Sequence, residues 1–261
     1  MLRIVRQLLM VPEVARLARH TPRDPAAAWE GYWRGVQATG TRGEVLWDAD
    51  IGPEAEQYTP AMDSSMDFSL PVLDVGCGNG QWTRWLALRF PAAVGVDVAE
   101  SAVRRAREET DAGQAVSFRA LDLTESRSGD MLYEEYGEMN VFVRGVFHVL
   151  RPPQRRQLAQ SLHAVTGRRG RVLLTETNYR GTPLSYMQSL GATPGSIPPP
   201  LRKAIGGIPV PGQFGARERR AAFPETQWQL LADGPVTIEA VPMGGDRTTA
   251  IPGYFATMGT R

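Results

Sequence analysis

Nine residues, Val72-Leu73-Asp74-Val75-Gly76-Cys77-Gly78-Asn79-Gly80, constrain this chain more than any others. An apolar run of strand length passes directly into three alternating glycines, and a helical pattern follows from Trp82. Glycines at the carboxyl end of a strand let bare backbone amides approach a ligand, at the edge where open α/β sheets bind their ligands. The spacing is Gly-x-Gly-x-Gly, with Gln81 where a dinucleotide fingerprint requires its third glycine, which argues against a nicotinamide cofactor. No Gly-Lys-Ser or Gly-Lys-Thr occurs, so Walker-type nucleotide hydrolysis has no anchor.

Downstream, short β-rich runs alternate with helical patterns, the signature of a parallel sheet with crossover helices. Strands are expected at 71–75, 93–98, 116–120, 140–143 and 171–175, and helices at 82–90, 100–110 and 154–165, the last opened by Pro152 and Pro153. A helical run at 224–231 and strands at 236–241 and 254–259 close the chain, the two strands forming an antiparallel hairpin at one sheet edge. The expectation is an α/β fold: a seven-stranded, mostly parallel sheet with helices on both faces and an antiparallel C-terminal edge strand.

Two regions stand outside this core. Residues 1–69 read as a helical and aromatic cover, beginning with an amphipathic stretch that carries Leu2, Val5, Leu8 and Leu9 and is divided by Pro12 into two short helices. Such a helix packs on its own domain or on a second subunit, so a homodimer through the N-terminal helices is one expectation. The core is assigned to 70–261, interrupted at about 180–222 by a lid. Residues 180–215 hold seven glycines and seven prolines, too broken for regular elements yet sprinkled with Leu184, Tyr186, Met187 and Leu190.

Composition excludes several classes. The 29 basic and 28 acidic residues leave a net charge of +1, and Lys203 is the one lysine. The arginine skew reads as codon bias rather than nucleic-acid binding, because the acids balance it. A single cysteine, Cys77, fits a reducing cytoplasm and supports neither a disulfide nor a cysteine metal cluster; no metal is expected. No run reaches the ~18 apolar residues of a spanning helix.

Two acids follow the glycine turn at the ends of successive strands. Asp97 can accept hydrogen bonds from both hydroxyls of a ribose, and Asp122 from an exocyclic amine such as that of adenine. Together they suggest an adenosine ligand lying across three strand ends.

With these residues in place, the sequence resembles the class I S-adenosylmethionine-dependent methyltransferases. The resemblance rests on 73–80, on Val94-Gly95-Val96-Asp97-Val98 with Ser101 and Ala102, on Leu121-Asp122-Leu123, and on Arg144-Gly145-Val146-Phe147-His148-Val149-Leu150. It covers roughly 70–177 and the final hairpin, and implies a Rossmann-like sheet binding S-adenosylmethionine and releasing S-adenosylhomocysteine. By this resemblance Asp74, Gly76, Cys77, Gly78, Asn79 and Gly80 hold the methionine part of the cofactor. Asp97 holds the ribose, Asp122 and the Leu123 amide the adenine, and Trp82, Val98 and Arg144 complete the cofactor-binding set. Asn140 stands where many members carry an acid, which leaves that acid's role unfilled.

A sulfonium methyl is already activated, so the protein mainly aligns a nucleophile and excludes water, with a base needed only for a protonated acceptor. Of the three histidines, His20, His148 and His163, only His148 falls beside the inferred cleft; Glu176 is the second candidate base. Trp29, Tyr32, Trp33 and Trp47 form an aromatic cluster upstream, and with Tyr179, Tyr186 and Met187 from the lid they are candidate substrate contacts, Trp47 excepted. The expected activity is methyl transfer to a small molecule, a secondary metabolite by family analogy. Two alternatives stand beside it: an RNA methyltransferase using Arg155, Arg156, Arg168, Arg169 and Arg171, and a methyltransferase-like cyclase or partner subunit whose cofactor is structural.

Overall fold

The computed structural model describes residues 2–19, 21–243 and 248–261, with side chains from residue 7 onward. His20 lies outside the described residues, as do the side chains of Leu2 and Val5.

Seven strands form one sheet in the order β3-β2-β1-β4-β5-β7-β6. The strands are β1 (Val72–Val75), β2 (Ala93–Asp97), β3 (Val116–Ala120), β4 (Asn140–Arg144), β5 (Val172–Thr177), β6 (Trp228–Ala240) and β7 (Thr249–Thr260). The first five are parallel, and β7 runs antiparallel between β5 and β6. The helices are α1 (Leu2–Ala18), α2 (Pro25–Arg34), α3 (Gly52–Ser65), α4 (Gln81–Leu86), α5 (Glu100–Glu108), α6 (Ser128–Tyr136), α7 (Pro152–Thr166), α8 (Pro183–Ser189), α9 (Pro199–Gly207) and α10 (Ala216–Ala222).

Strand alternation assigns the two faces. Leu73, Val75, Val141, Val143, Val172 and Leu174 pack with Leu132 of α6 and Leu158 and Leu162 of α7. The intervening Val72, Phe142 and Leu173 pack with Tyr58 and Met62 of α3 and Trp82 and Leu86 of α4. Both faces being covered, β1, β2, β4 and β5 are buried along nearly their whole length, which is why their sequence shows apolar runs rather than alternation, whereas the edge strand β3 is only partly buried.

Several expectations need correcting. Pro12 does not divide the first helix: α1 continues through it. Its inward stripe is Met10, Val14 and Leu17, whereas Leu8 and Leu9 face solvent. The segment 180–215 is not irregular, because Pro183 and Pro199 each occupy the first turn of a helix, where a missing N–H breaks no bond. Within the span assigned as lid, α10 packs instead beneath the sheet, with Phe214 and Phe223 buried against Phe147. The expected helix at 224–231 is a turn followed by the start of β6, with a register shift between Leu230 and Ala232. Both final strands are longer than expected and accommodate a proline each. Pro235 lies in the edge strand and Pro252 just past the last pair of β7 with β5, where proline is tolerated.

β7 outruns β5: Thr177 pairs with Gly253, and the four pairs from Thr237↔Pro252 to Ala240↔Thr249 hang free beyond the parallel strands, over their carboxyl ends. Against this overhang pack α1, α8 and α9, making a second apolar cluster with Leu190, Leu201, Ile205, Ile238 and Ile251.

Candidate functional site

A cavity of about 280 Å³ opens at the carboxyl ends of β1, β2 and β4. One wall is the glycine turn. Gly76, Gly78 and Gly80 all have positive φ, and a Cβ on Gly80 would lie 2.6 Å from the Phe118 ring, so the turn needs glycine both for its backbone and for its packing. A Cβ on Gly78 would lie 2.8 Å from Trp33, whose ring therefore roofs the turn from α2.

Three carboxylates border this end. Asp97 is 8% exposed and accepts from the amides of Gly78 (3.0 Å) and Ala99 (2.9 Å). Burial nevertheless pushes its pKa up to about 6. A buried acid with acceptor capacity left over suits a diol donor, the chemistry of a ribose. Asp74 accepts from the Thr83 hydroxyl at 2.6 Å, and burial, reinforced by Asp97, lifts it to about 7. Asp122 accepts from the amide and hydroxyl of Thr124 and lines the cavity beside Leu123. The residues could hold S-adenosylmethionine: the side-chain-free face of the glycine turn would border the methionine part, Asp97 would take the ribose, and Asp122 with Leu123 the adenine, while the amides of Gly76, Gly78 and Gly80 are spent on Val96, Asp97 and Cys77. Cys77 contributes backbone; its thiol is buried and its pKa is raised by that burial, then by Asp97 and Asp74.

Other expected cofactor residues take different parts. Gly80 precedes α4 and does not line the cavity. Asn79 donates to Asp48 (3.0 Å) and Glu109 (3.2 Å), tying the turn to the N-terminal cover. Asp48 also accepts from the Gly40 amide at 2.7 Å, and burial raises it to about 6. Nothing in the Trp47-Asp48-Ala49 sequence marks that acid as a site residue. Arg144 borders the cavity but spends its guanidinium on Glu54, with Nε and Nη2 contacts of 2.7 and 2.5 Å. Burial alone would lower the Arg144 pKa; Glu54 outweighs it and raises it. Glu54 also accepts from the Tyr58 hydroxyl and the Glu239 amide, so this buried knot binds α3, β4 and β6 together. Trp82 lies 5.6 Å from the guanidinium. Asn140 sits at the opposite, N-terminal end of β4, joined to the Asp67 carbonyl and the Arg171 amide.

His148 lines the cavity on a 3-10 turn after β4. Its Nδ1 is 2.7 Å from Glu176 Oε2, and Nε2 has no protein partner among the described residues. Glu176 is fully buried and does not line the cavity. Its carboxylate also accepts from the amides of Val146, Phe147 and His148, fixing both the turn and the ring.

Of the expected substrate contacts, Trp29, Trp33, Tyr186 and Met187 line the cavity. Tyr32 does not: it is buried behind Trp29 and Trp47 under Gly207. Tyr179 does not either, standing against the Tyr186 ring with centroids 5.1 Å apart. The sequence reading missed much of this wall, including Val14, Leu190, Leu201, Ile205, Ile238 and Ile251, and Trp47, set aside as a substrate contact, lines it too.

Residues 72–170 match the family model of a methyltransferase domain. A solved S-adenosylmethionine-dependent methyltransferase from Anabaena variabilis is 28% identical, covers 93% of this chain and 97% of its own, and superposes with a TM-score of 0.80. The chain carries an S-adenosylmethionine-dependent methyltransferase domain. Further structures share the methyltransferase fold at lower identity. A protein described in the conversion of a disulfide bond into a thioacetal group during echinomycin biosynthesis is 22% identical over 89% of this chain and 91% of its own (TM-score 0.64). The magnesium protoporphyrin IX methyltransferase of Synechocystis is 17% identical over 80% of each chain (TM-score 0.52). Comparison with the curated proteins gives no match. S-adenosylmethionine is therefore the methyltransferase's cofactor, and none of its described helices is long and apolar enough to cross a membrane.

Proposed function

We propose that this methyltransferase acts on a small molecule of secondary metabolism, antibiotics included, in the cytoplasm. The observation that carries this reading is the apolar wall of the cavity beyond the glycine turn, contributed by α1, α8 and α9, which suits a compact acceptor. The protein of echinomycin biosynthesis shares the fold, and a secondary metabolite is the class named on that ground. Against an RNA acceptor, Arg155 and Arg171 spend their guanidinium groups on nearby carbonyls and Arg169 pairs with Asp67. Leu8, Leu9 and Val11 remain exposed on α1, the surface through which a homodimer would form.

Bound S-adenosylmethionine supplies an electrophilic methyl on its sulfonium. The glycine turn, Asp97 and Asp122 orient it, and the cover excludes water from the space facing the sulfur. His148 Nε2 is placed to accept the acceptor's proton, while Glu176 holds Nδ1 and so fixes which ring nitrogen faces the cavity. Glu176 is thus a positioning residue and His148 the catalytic one.

The test is turnover of methyl-labelled S-adenosylmethionine against a panel of phenols, thiols and amines, with products read by mass spectrometry. His148→Ala should lower kcat about 10²-fold or more with unchanged S-adenosylhomocysteine affinity. Full turnover by that variant removes the base, and labelling of RNA in place of every small molecule removes the reading.

A further inference from the structure

The cavity's two halves differ in charge. At the cofactor half stand Asp48, Asp74, Asp97 and Asp122. The outer half, where an acceptor would enter, is walled by Met187, Leu190, Leu201, Ile205, Ile238 and Ile251. Asp24, at its rim, caps α2 by accepting from the Ala27 amide. Among the described residues lining the cavity, Arg144 is the one permanent cation, and its side chain, 7% exposed, is neutralised by the bidentate contact with Glu54. An acceptor carrying a carboxylate, phosphate or sulfate would leave water for an apolar wall, find no free cation, and sit in the field of four carboxylates. A cationic acceptor would leave water for the same apolar wall, which carries no carboxylate of its own.

From this asymmetry we infer that the acceptor is an uncharged, largely apolar molecule with one polar end, a hydroxyl, thiol or neutral amine, directed at His148. The inference rests on the small-molecule reading above and narrows it. Shape selection comes from the apolar wall, contributed by α8, α9 and the β6–β7 overhang, and charge selection from the commitment of Arg144 to Glu54. An arginine kept in the wall but paired inward leaves its neighbours' apolar surface without a counter-charge.

Three probes with one ring test it: 2-naphthol, 2-naphthoate and 2-naphthylmethylammonium, titrated by calorimetry into the full chain saturated with S-adenosylhomocysteine. 2-Naphthol should bind at least tenfold more tightly than either ion. Leu190→Arg, which sets a free cation in the wall, should reverse the order of 2-naphthol and 2-naphthoate. Retained S-adenosylhomocysteine binding certifies that the variant is folded; should it fail to fold, Ile205→Arg takes its place. Equal or tighter binding of either ion to the unaltered protein overturns the inference, and so does the failure of all three probes to bind the cofactor-loaded protein. The outcome is separable from that of the base assignment, because His148→Ala removes no apolar wall and should leave the preference for 2-naphthol intact even where it abolishes turnover.

Discussion

The two halves of the cavity are built by opposite means. The cofactor half comes from consecutive strand ends: the turn after β1, Asp97 at the end of β2 and Asp122 after β3. A tight glycine turn and short buried acids border that end of the cavity. The acceptor half is assembled from α1, α8, α9 and the hairpin overhang, elements remote in sequence whose side chains meet in an apolar cluster, with the Gln7–Gln188 hydrogen bond and the Arg202–Glu13 ion pair tying α1 to α8 and α9. Directional groups confine a ligand to one pose, whereas an apolar wall sets size and polarity and leaves orientation to the few polar atoms it encloses.

Between the halves stands the Arg144–Glu54 knot, and breaking it should give the largest effect. Arg144→Met leaves Glu54 buried without its cation and should cost about 3–5 kcal/mol, a fall in Tm of roughly 10 °C in calorimetry. A fall of under 2 °C would mean that the cover and the sheet are not coupled through this pair.

Within the cofactor half, Asp97→Ala removes the acceptor for two ribose hydroxyls. Charge-assisted hydrogen bonds of about 1.5 kcal/mol each predict a roughly hundredfold loss of S-adenosylhomocysteine affinity. Unchanged affinity would sink the assignment of Asp97 to the ribose.

The pH dependence separates the halves further. Asp97 and Asp48 are raised to about 6 and Asp74 to about 7, so the ligand-free fold binds more protons than the unfolded chain above pH 4. Stability of the ligand-free protein should accordingly fall as pH rises from 4 to 7. Cofactor binding should run the other way, because the ribose hydroxyls need an ionised Asp97: affinity should drop about tenfold from pH 7 to pH 5. Asp97→Asn should remove that drop; a drop that persists belongs to Asp74 or Asp48. The smallest effect is expected from Ile205→Ala, which should change S-adenosylhomocysteine affinity less than twofold while weakening 2-naphthol several-fold.

Most of the residues expected at the cofactor end line one cavity, and their grouping was readable because its determinants are local. A buried strand, a glycine turn and an acid at the next strand end lie within 26 residues, from Val72 to Asp97, and each has a chemical reason to be where it is. The acceptor half was legible only in fragments. Val14, Met187, Ile205 and Ile251 each look like ordinary core positions, and only the tertiary fold brings them to one surface. Glycine and proline density hid α8 and α9, because proline is disfavoured inside a helix yet suited to its first turn, and composition does not separate the two. Asp48 was invisible for another reason: its partners Gly40 and Asn79 approach it across a loop and from a different element.

The overhang of β6 and β7 sets where such an enzyme has freedom to diverge. Four strand pairs beyond β5 owe nothing to the parallel sheet and floor the acceptor space. Replacing Ile238 or Ile251 alters which molecules are welcomed without touching a residue that grips the cofactor. On the proposed reading, acceptor selectivity and cofactor binding thus draw on different elements of the fold, so a change in one need not disturb the other.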